Sequence, residues 1–157
     1  MPQYIDSYYL VYNRKLDVVN DFFKKYFPAG GKELAADYPF PEFSDYPDVT
    51  FYSAKELLLH LEKMPNFEYT IYFQNNNQLS EIKQITLQYT DDGNIIFGIS
   101  IIGDDLSTAS SIQIFKQVKK YLHSDIACIT MEEPPPINSD EFIIFCNERF
   151  IPKFDDF

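Results

Sequence analysis

The chain has 157 residues, with 15 Phe and 12 Tyr, and its 24 acids against 13 Lys and Arg give a formal charge of −11. That length fits one domain burying roughly 70% of its unfolded surface, and the aromatic content favours a packed globule over a disordered chain. The charge argues against nucleic acid and anionic membrane as partners.

No run approaches the roughly 18 apolar residues of a membrane span, and the start MPQYIDSYY lacks a basic region followed by an apolar run. A cytoplasmic protein is therefore expected. Its acidity serves either solubility or complementarity to a basic partner.

Tyr8 to Tyr12 reads as a first strand. From Leu16 to Phe27, the residues Val19, Phe22, Phe23, Tyr26 and Phe27 follow the spacing of an amphipathic helix, which Pro28 and Gly30-Gly31 end. An irregular stretch, Ala29 to Asp48, comes next. Its prolines Pro39, Pro41 and Pro47 oppose both helix and sheet ladder. Within residues 37–48 (DYPFPEFSDYPD) four acids interleave with Tyr38, Phe40, Phe43 and Tyr46, without a basic residue. Loops this long in compact domains are often functional. The aromatics either pin the loop to the body or anchor a partner.

Val49 to Tyr52 is a short extended piece. Ser53 and Glu56 form a capping box opening a helix through Leu57, Leu58, Leu61 and Met64. In FEYTIYFQ, from Phe67 to Gln74, Phe67, Tyr69, Ile71 and Phe73 share one face. The clearest hairpin follows, Glu81 to Ile102. A three-residue loop Asp91-Asp92-Gly93 pairs Tyr89 with Ile95, Leu87 with Phe97 and Ile85 with Ile99. This keeps one apolar face, whereas a one-residue slip would mix the two. Gly93 then takes the left-handed position of the turn. Across the polar connector Asn75 to Gln78, pairing Gln74 with Ile82 sets Ile71 against Ile85 and Tyr69 against Leu87, so three strands make a meander. Its odd-numbered face is core. Its even-numbered face (Thr86, Gln88, Thr90, Ser100) and the turn remain for solvent or recognition.

Ser107 is the expected cap of a helix from Thr108 to about Leu122, with Lys116, Lys119 and Lys120 near its negative end. Ile126 to Met131 is a further strand, and Glu132-Glu133-Pro134-Pro135-Pro136 a rigid acidic spacer. Phe142 to Cys146 (FIIFC) favours strand over helix turn by its β-branched and aromatic content. The tail from Pro152 is expected to be loose. The whole chain, 1–157, thus reads as a single α+β domain. Its sheet is largely antiparallel, built on a central meander (about 67–102) with helices packed on one face.

Catalytic and metal-binding patterns are scarce. There is no P-loop, GxGxxG, HExxH or GxSxG. His60 and His123 lie in or at the end of helices, where structural roles suffice. Cys128 and Cys146 form no CxxC and read as buried thiols; Cys128 with His123 and Asp125 would be a nucleophile set only if exposed. Asp91-Asp92 and Asp104-Asp105 suit turns rather than a calcium loop. The expectation is no catalytic residue, no cofactor and no metal.

The segment ITLQYTDDGNIIFGISI (residues 85–101) resembles a pattern of small bacterial immunity proteins of polymorphic toxin systems: a strand, a Tyr-Thr-x-Asp-Gly turn, and an apolar strand with Phe-Gly-hydrophobic-Ser. Tyr89, Thr90, Asp92, Gly93, Phe97, Gly98 and Ser100 carry the match. The resemblance implies an acidic protein that inhibits a cognate toxin by binding it, and transfers no catalytic residue. The expected contact surface is Asp37, Tyr38, Glu42, Phe43, Asp45, Tyr46 and Asp48, joined by Glu132 and Glu133, facing a basic protein toxin. The alternative is a structural or regulatory interaction domain unrelated to toxins.

Overall fold

In a computed structural model that describes residues 3–153, the expected meander forms the middle of a six-stranded antiparallel sheet. Strands β5 (Tyr69–Asn75), β6 (Ile82–Tyr89) and β7 (Ile95–Ile102) are its successive members. The hairpin adopts the three-residue-loop register, with Tyr89 opposite Ile95, Leu87 opposite Phe97 and Ile85 opposite Ile99. Gly93 has φ of +94°, a left-handed conformation that side chains resist.

The β5–β6 register differs from expectation by two residues: Ile71 faces Leu87 and Tyr69 faces Tyr89. The strand runs on through Asn75, whose Nδ2 donates to the Ile82 carbonyl at 2.9 Å while its Oδ1 accepts from the Asn77 N–H. These bonds carry β5 past Gln74, which pairs with Gln84, and leave a connection two residues longer than expected. A two-residue shift preserves parity, so the same side chains still enter the core.

Strand β1 (Tyr4–Val11) pairs with β7, and β8 (Ala127–Thr130) pairs outside β1. At the other edge β2 (Gly31–Glu33) pairs with β5, giving the order β2-β5-β6-β7-β1-β8. Helices α1 (Leu16–Tyr26), α2 (Ala54–Glu62) and α3 (Ala109–Leu122) cover the odd-numbered face. Phe22 of α1 meets Phe97 at 4.7 Å between ring centres, Phe23 meets Phe73 at 4.8 Å, and Phe115 of α3 meets Tyr9 at 5.5 Å. The cap of α3 is Thr108, one residue beyond the expected Ser107, which instead donates to Asp105.

FIIFC is helical, which corrects the expected strand. It belongs to α4 (Ser139–Asn147), opened by Asn138, whose side chain accepts from the N–H groups of Asp140 and Glu141. A cap with two acids in the first turn outweighs local β propensity. This helix lies on the opposite sheet face from the other three, where Phe142, Phe145 and Cys146 meet Tyr8, Leu10, Ile96 and Cys128.

The even-numbered face is therefore covered rather than open at the residues that stood out in the sequence. Residues 131–138 strap across it: Gln88 Nε2 donates to the carbonyls of Pro135 (2.9 Å) and Pro136 (2.6 Å). The Asp91 N–H donates to the Ile137 carbonyl, and Ser139 donates to Asp92 through its hydroxyl at 2.9 Å. Ser100 donates to the buried Asp6 at 2.6 Å. Gly98 admits the Tyr8 ring, since a Cβ there would lie 2.8 Å from a ring carbon. The residues of the 85–101 pattern thus serve the turn, the core and the strap.

One structural centre escaped the sequence reading. Buried Arg14 donates to the carbonyls of Leu61 (3.2 Å), Met64 (2.8 Å) and Phe67 (3.1 Å) and to Thr90, with its guanidinium 5.3 Å from the centre of the Tyr89 ring. It ties the end of α2 to the end of β6. The tail residues 154–157, including Asp155, Asp156 and Phe157, lie outside the described residues.

Candidate functional site

The acidic aromatic loop stands on a small ribbon. Strands β3 (Tyr38–Phe40) and β4 (Val49–Phe51) pair antiparallel, Tyr38 opposite Phe51 and Phe40 opposite Val49. This corrects the expectation that the prolines exclude a ladder. Pro39 sits between those pairs, opposite Thr50, and its carbonyl accepts instead from the Tyr69 hydroxyl at 2.8 Å.

Half of the loop is anchored. Tyr38 and Phe40 are buried, and the Tyr38 hydroxyl donates to Glu33 Oε1 at 2.8 Å. The same oxygen accepts from the Ala54 N–H, which ties the loop to the N-terminus of α2. Phe40 packs against Phe67 at 4.9 Å and His60 at 4.5 Å between ring centres.

The other half faces outward. Phe43 is 90% exposed and Tyr46 91%, and Asp37, Asp45 and Asp48 are exposed as well. Phe43 holds φ at +63°, a conformation uncommon outside glycine.

Glu42 joins the two halves. Strand β2 ends at Glu33, so the outer edge of β5 is open at Thr70 and Tyr72. The Leu34 N–H takes the Tyr72 carbonyl at 3.2 Å, and both Glu42 carboxylate oxygens lie 3.2–3.3 Å from the Thr70 N–H. An edge that could recruit a further strand is thereby closed by a side chain. Burial pushes the Glu42 carboxyl up to about 7; the Thr70 N–H opposes this and Glu68 adds to it.

Asp37, Tyr38, Glu42 and Phe43 line one groove of about 410 Å³ with Tyr69 and Tyr72. Asp45, Tyr46 and Asp48 belong to the same loop but not to the groove. Glu132 and Glu133 stand elsewhere, on the strap beyond β8. The Glu132 N–H donates to Asp6, while Glu133 accepts from the Thr130 hydroxyl and from Arg149, each at 2.7 Å. Glu133 is thus engaged in holding the strap.

Cys128 and Cys146 are buried free thiols, and His123 is the left-handed cap of α3, with φ of +52°. Among the described residues no group of three His, Cys, Asp or Glu could hold a metal, and no helix is long and apolar enough to cross a membrane. Glu33 and Tyr72, which the sequence reading passed over, belong to the site; the one signal for Tyr72 was its place among the outward residues of an alternating strand. No protein-family model, curated protein or solved structure matches the chain.

Proposed function

We propose that this is a binding protein that neutralises a cognate bacterial toxin in the cytoplasm by occluding its active site, without catalysis of its own. The observation that carries the reading is the pair of rings, Phe43 and Tyr46, about nine-tenths exposed on an acidic loop whose base is firmly anchored. Exposed aromatics lose little conformational freedom on docking and make good interface anchors. The charge of −11 steers a basic partner toward them, while apolar contact slows its release. A basic active-site cleft, as in a nuclease, is the complementary surface.

The test is binding to the toxin encoded by the adjacent gene, followed by stopped-flow association across a salt series. Changing Asp37, Asp45 and Asp48 to Asn and Glu42 to Gln is expected to slow association about tenfold and flatten its salt dependence, with the fold retained and the change in stability confined to the pH-dependent part that Glu42 carries. Failure to bind any adjacently encoded toxin sinks the reading. An unchanged, salt-independent rate moves the contact away from this loop. A metabolic or regulatory neighbourhood favours the alternative of an interaction domain unrelated to toxins.

A further inference from the structure

The groove beside Glu42 has a more specific chemistry than the loop as a whole. Its floor is the edge of β5, and its walls are apolar or aromatic: Leu34, Phe43 and Tyr72 all present substantial exposed surface. At about 410 Å³ it is larger than one long side chain needs, and two carboxylates, Asp37 and Glu42, open into it. No basic side chain lines it. An apolar slot with aromatic walls and unneutralised acids fits a side chain with an apolar stem and a planar cation, which is arginine rather than lysine.

We infer that this groove receives an arginine side chain of the basic partner, its stem against Leu34 and Tyr72 and its guanidinium at the Glu42 and Asp37 carboxylates. The inference rests on the proposed binding function and deepens it. Glu42 keeps acceptor capacity for a fork of donors, because a carboxylate has about four lone-pair directions and the Thr70 N–H occupies only part of them.

Binding is then linked to a proton. The carboxyl of Glu42 sits near 7 through burial and the neighbouring Glu68. The other groups facing it are Asp37 from the loop and the Tyr69 and Tyr72 hydroxyls from β5. An entering guanidinium favours the ionised form and expels the proton. The ionised fraction of a group near 7 goes from about one tenth at pH 6 to about nine tenths at pH 8, so affinity rises by up to about tenfold over that span. Arginine itself stays charged throughout.

The probe is N-acetyl-arginine amide, titrated into the full chain and followed through backbone amide resonances, with N-acetyl-citrulline amide as the uncharged isostere. The expected result is movement of the Leu34, Thr70 and Tyr72 amides at millimolar arginine compound, with about tenfold weaker binding of citrulline. The dissociation constant should fall about tenfold from pH 6 to pH 8. In Glu42→Gln, which keeps an acceptor for Thr70, binding weakens and its pH dependence flattens; Tyr72→Leu weakens binding with the pH dependence retained. Equal binding of the two compounds, no movement of these amides by about 50 mM, or a pH dependence that survives in Glu42→Gln overturns the inference. Failure of the groove is separable from failure of the function. If the chain binds its toxin through Phe43 and Tyr46 while arginine leaves the groove unmoved, only the groove assignment falls. If arginine binds here and no toxin does, the groove stands and the toxin reading falls.

Discussion

The loop at residues 34–48 and the strap at residues 131–138 have similar compositions and opposite uses. Both are acidic and proline-rich, and regular structure within them is limited to β3 of the loop. In the strap, the carbonyls of Pro135 and Pro136 are engaged by Gln88, that of Ile137 by the Asp91 N–H, and Glu133 by Thr130 and Arg149, while Glu132 is tied to Asp6 through its backbone N–H. In the loop, Tyr38, Phe40 and Glu42 hold the body while Phe43 and Tyr46 touch almost nothing. An acidic proline-rich segment is thus classified by where its hydrogen bonds go, not by what it contains. The strap is clasp, and the loop is partly clasp and partly free surface.

The strongest way to break the clasp is to remove what presses it down. Phe142 of α4 is fully buried against the sheet and stacks with Phe145 at 6.0 Å between ring centres. Phe142→Ala is expected to cost about 3–5 kcal/mol in urea unfolding and to expose residues 131–138 to proteolysis. A cost below about 1 kcal/mol would mean that the hydrogen bonds hold the strap without α4.

A smaller effect separates the regions by pH. Asp92 caps the start of α4 from the hairpin turn, and its carboxyl lies below the ordinary range. Burial works against that shift, but hydrogen bonds from Thr90 and from the Ser139 hydroxyl and N–H outweigh it. The stabilisation is complete above the unfolded carboxyl's range near pH 4 and is lost as pH falls through the lower folded value. Glu42 behaves oppositely. Raised to about 7, it binds its proton more tightly in the folded chain, so its contribution favours folding below about pH 4.5 and declines as pH rises toward 7. Urea midpoints from pH 3 to pH 8 should lose the acid limb in Asp92→Asn and the neutral slope in Glu42→Gln. Asp92→Ala at pH 7 should cost about 1–2 kcal/mol as a lost cap.

How much of this was legible in the sequence follows from the range of the interactions. The hairpin register was legible because parity and Gly93 are local signals. The β5–β6 register missed by two because a side chain, Asn75, closes that connection, and a shift of two leaves the pattern of faces unchanged. FIIFC was ambiguous in periodicity, and the decisive signal, Asn138 followed by Asp140 and Glu141, lay upstream. Arg14 was invisible, since its acceptors lie 47 to 76 residues away. The loop was legible as an aromatic acidic stretch, but which rings point inward depends on the ribbon between β3 and β4 and on the early end of β2. Glu42 was singled out for its charge; its place at an open strand edge came only with the tertiary structure.

The sharpest form of the contrast lies within the loop itself. Phe43 and Tyr46 have almost no contact to lose, so Phe43→Ala with Tyr46→Ala should change stability by no more than about 0.5 kcal/mol. Their buried neighbour Phe40, wedged against Phe67 and His60, should cost about 3 kcal/mol or more as Phe40→Ala. If the outer rings serve recognition, the stability-neutral double variant should weaken partner binding by about 2 kcal/mol or more, mainly through faster dissociation. Calorimetric melting and dissociation kinetics on the same preparation decide between the roles. Lost stability would make these rings supports of the loop, whereas lost affinity with stability intact would make them its contact. The charge variants act on the other rate, because steering changes encounter more than residence. An interface built from a steering field and two exposed rings should therefore divide its kinetics between them, acids governing association and aromatics governing release.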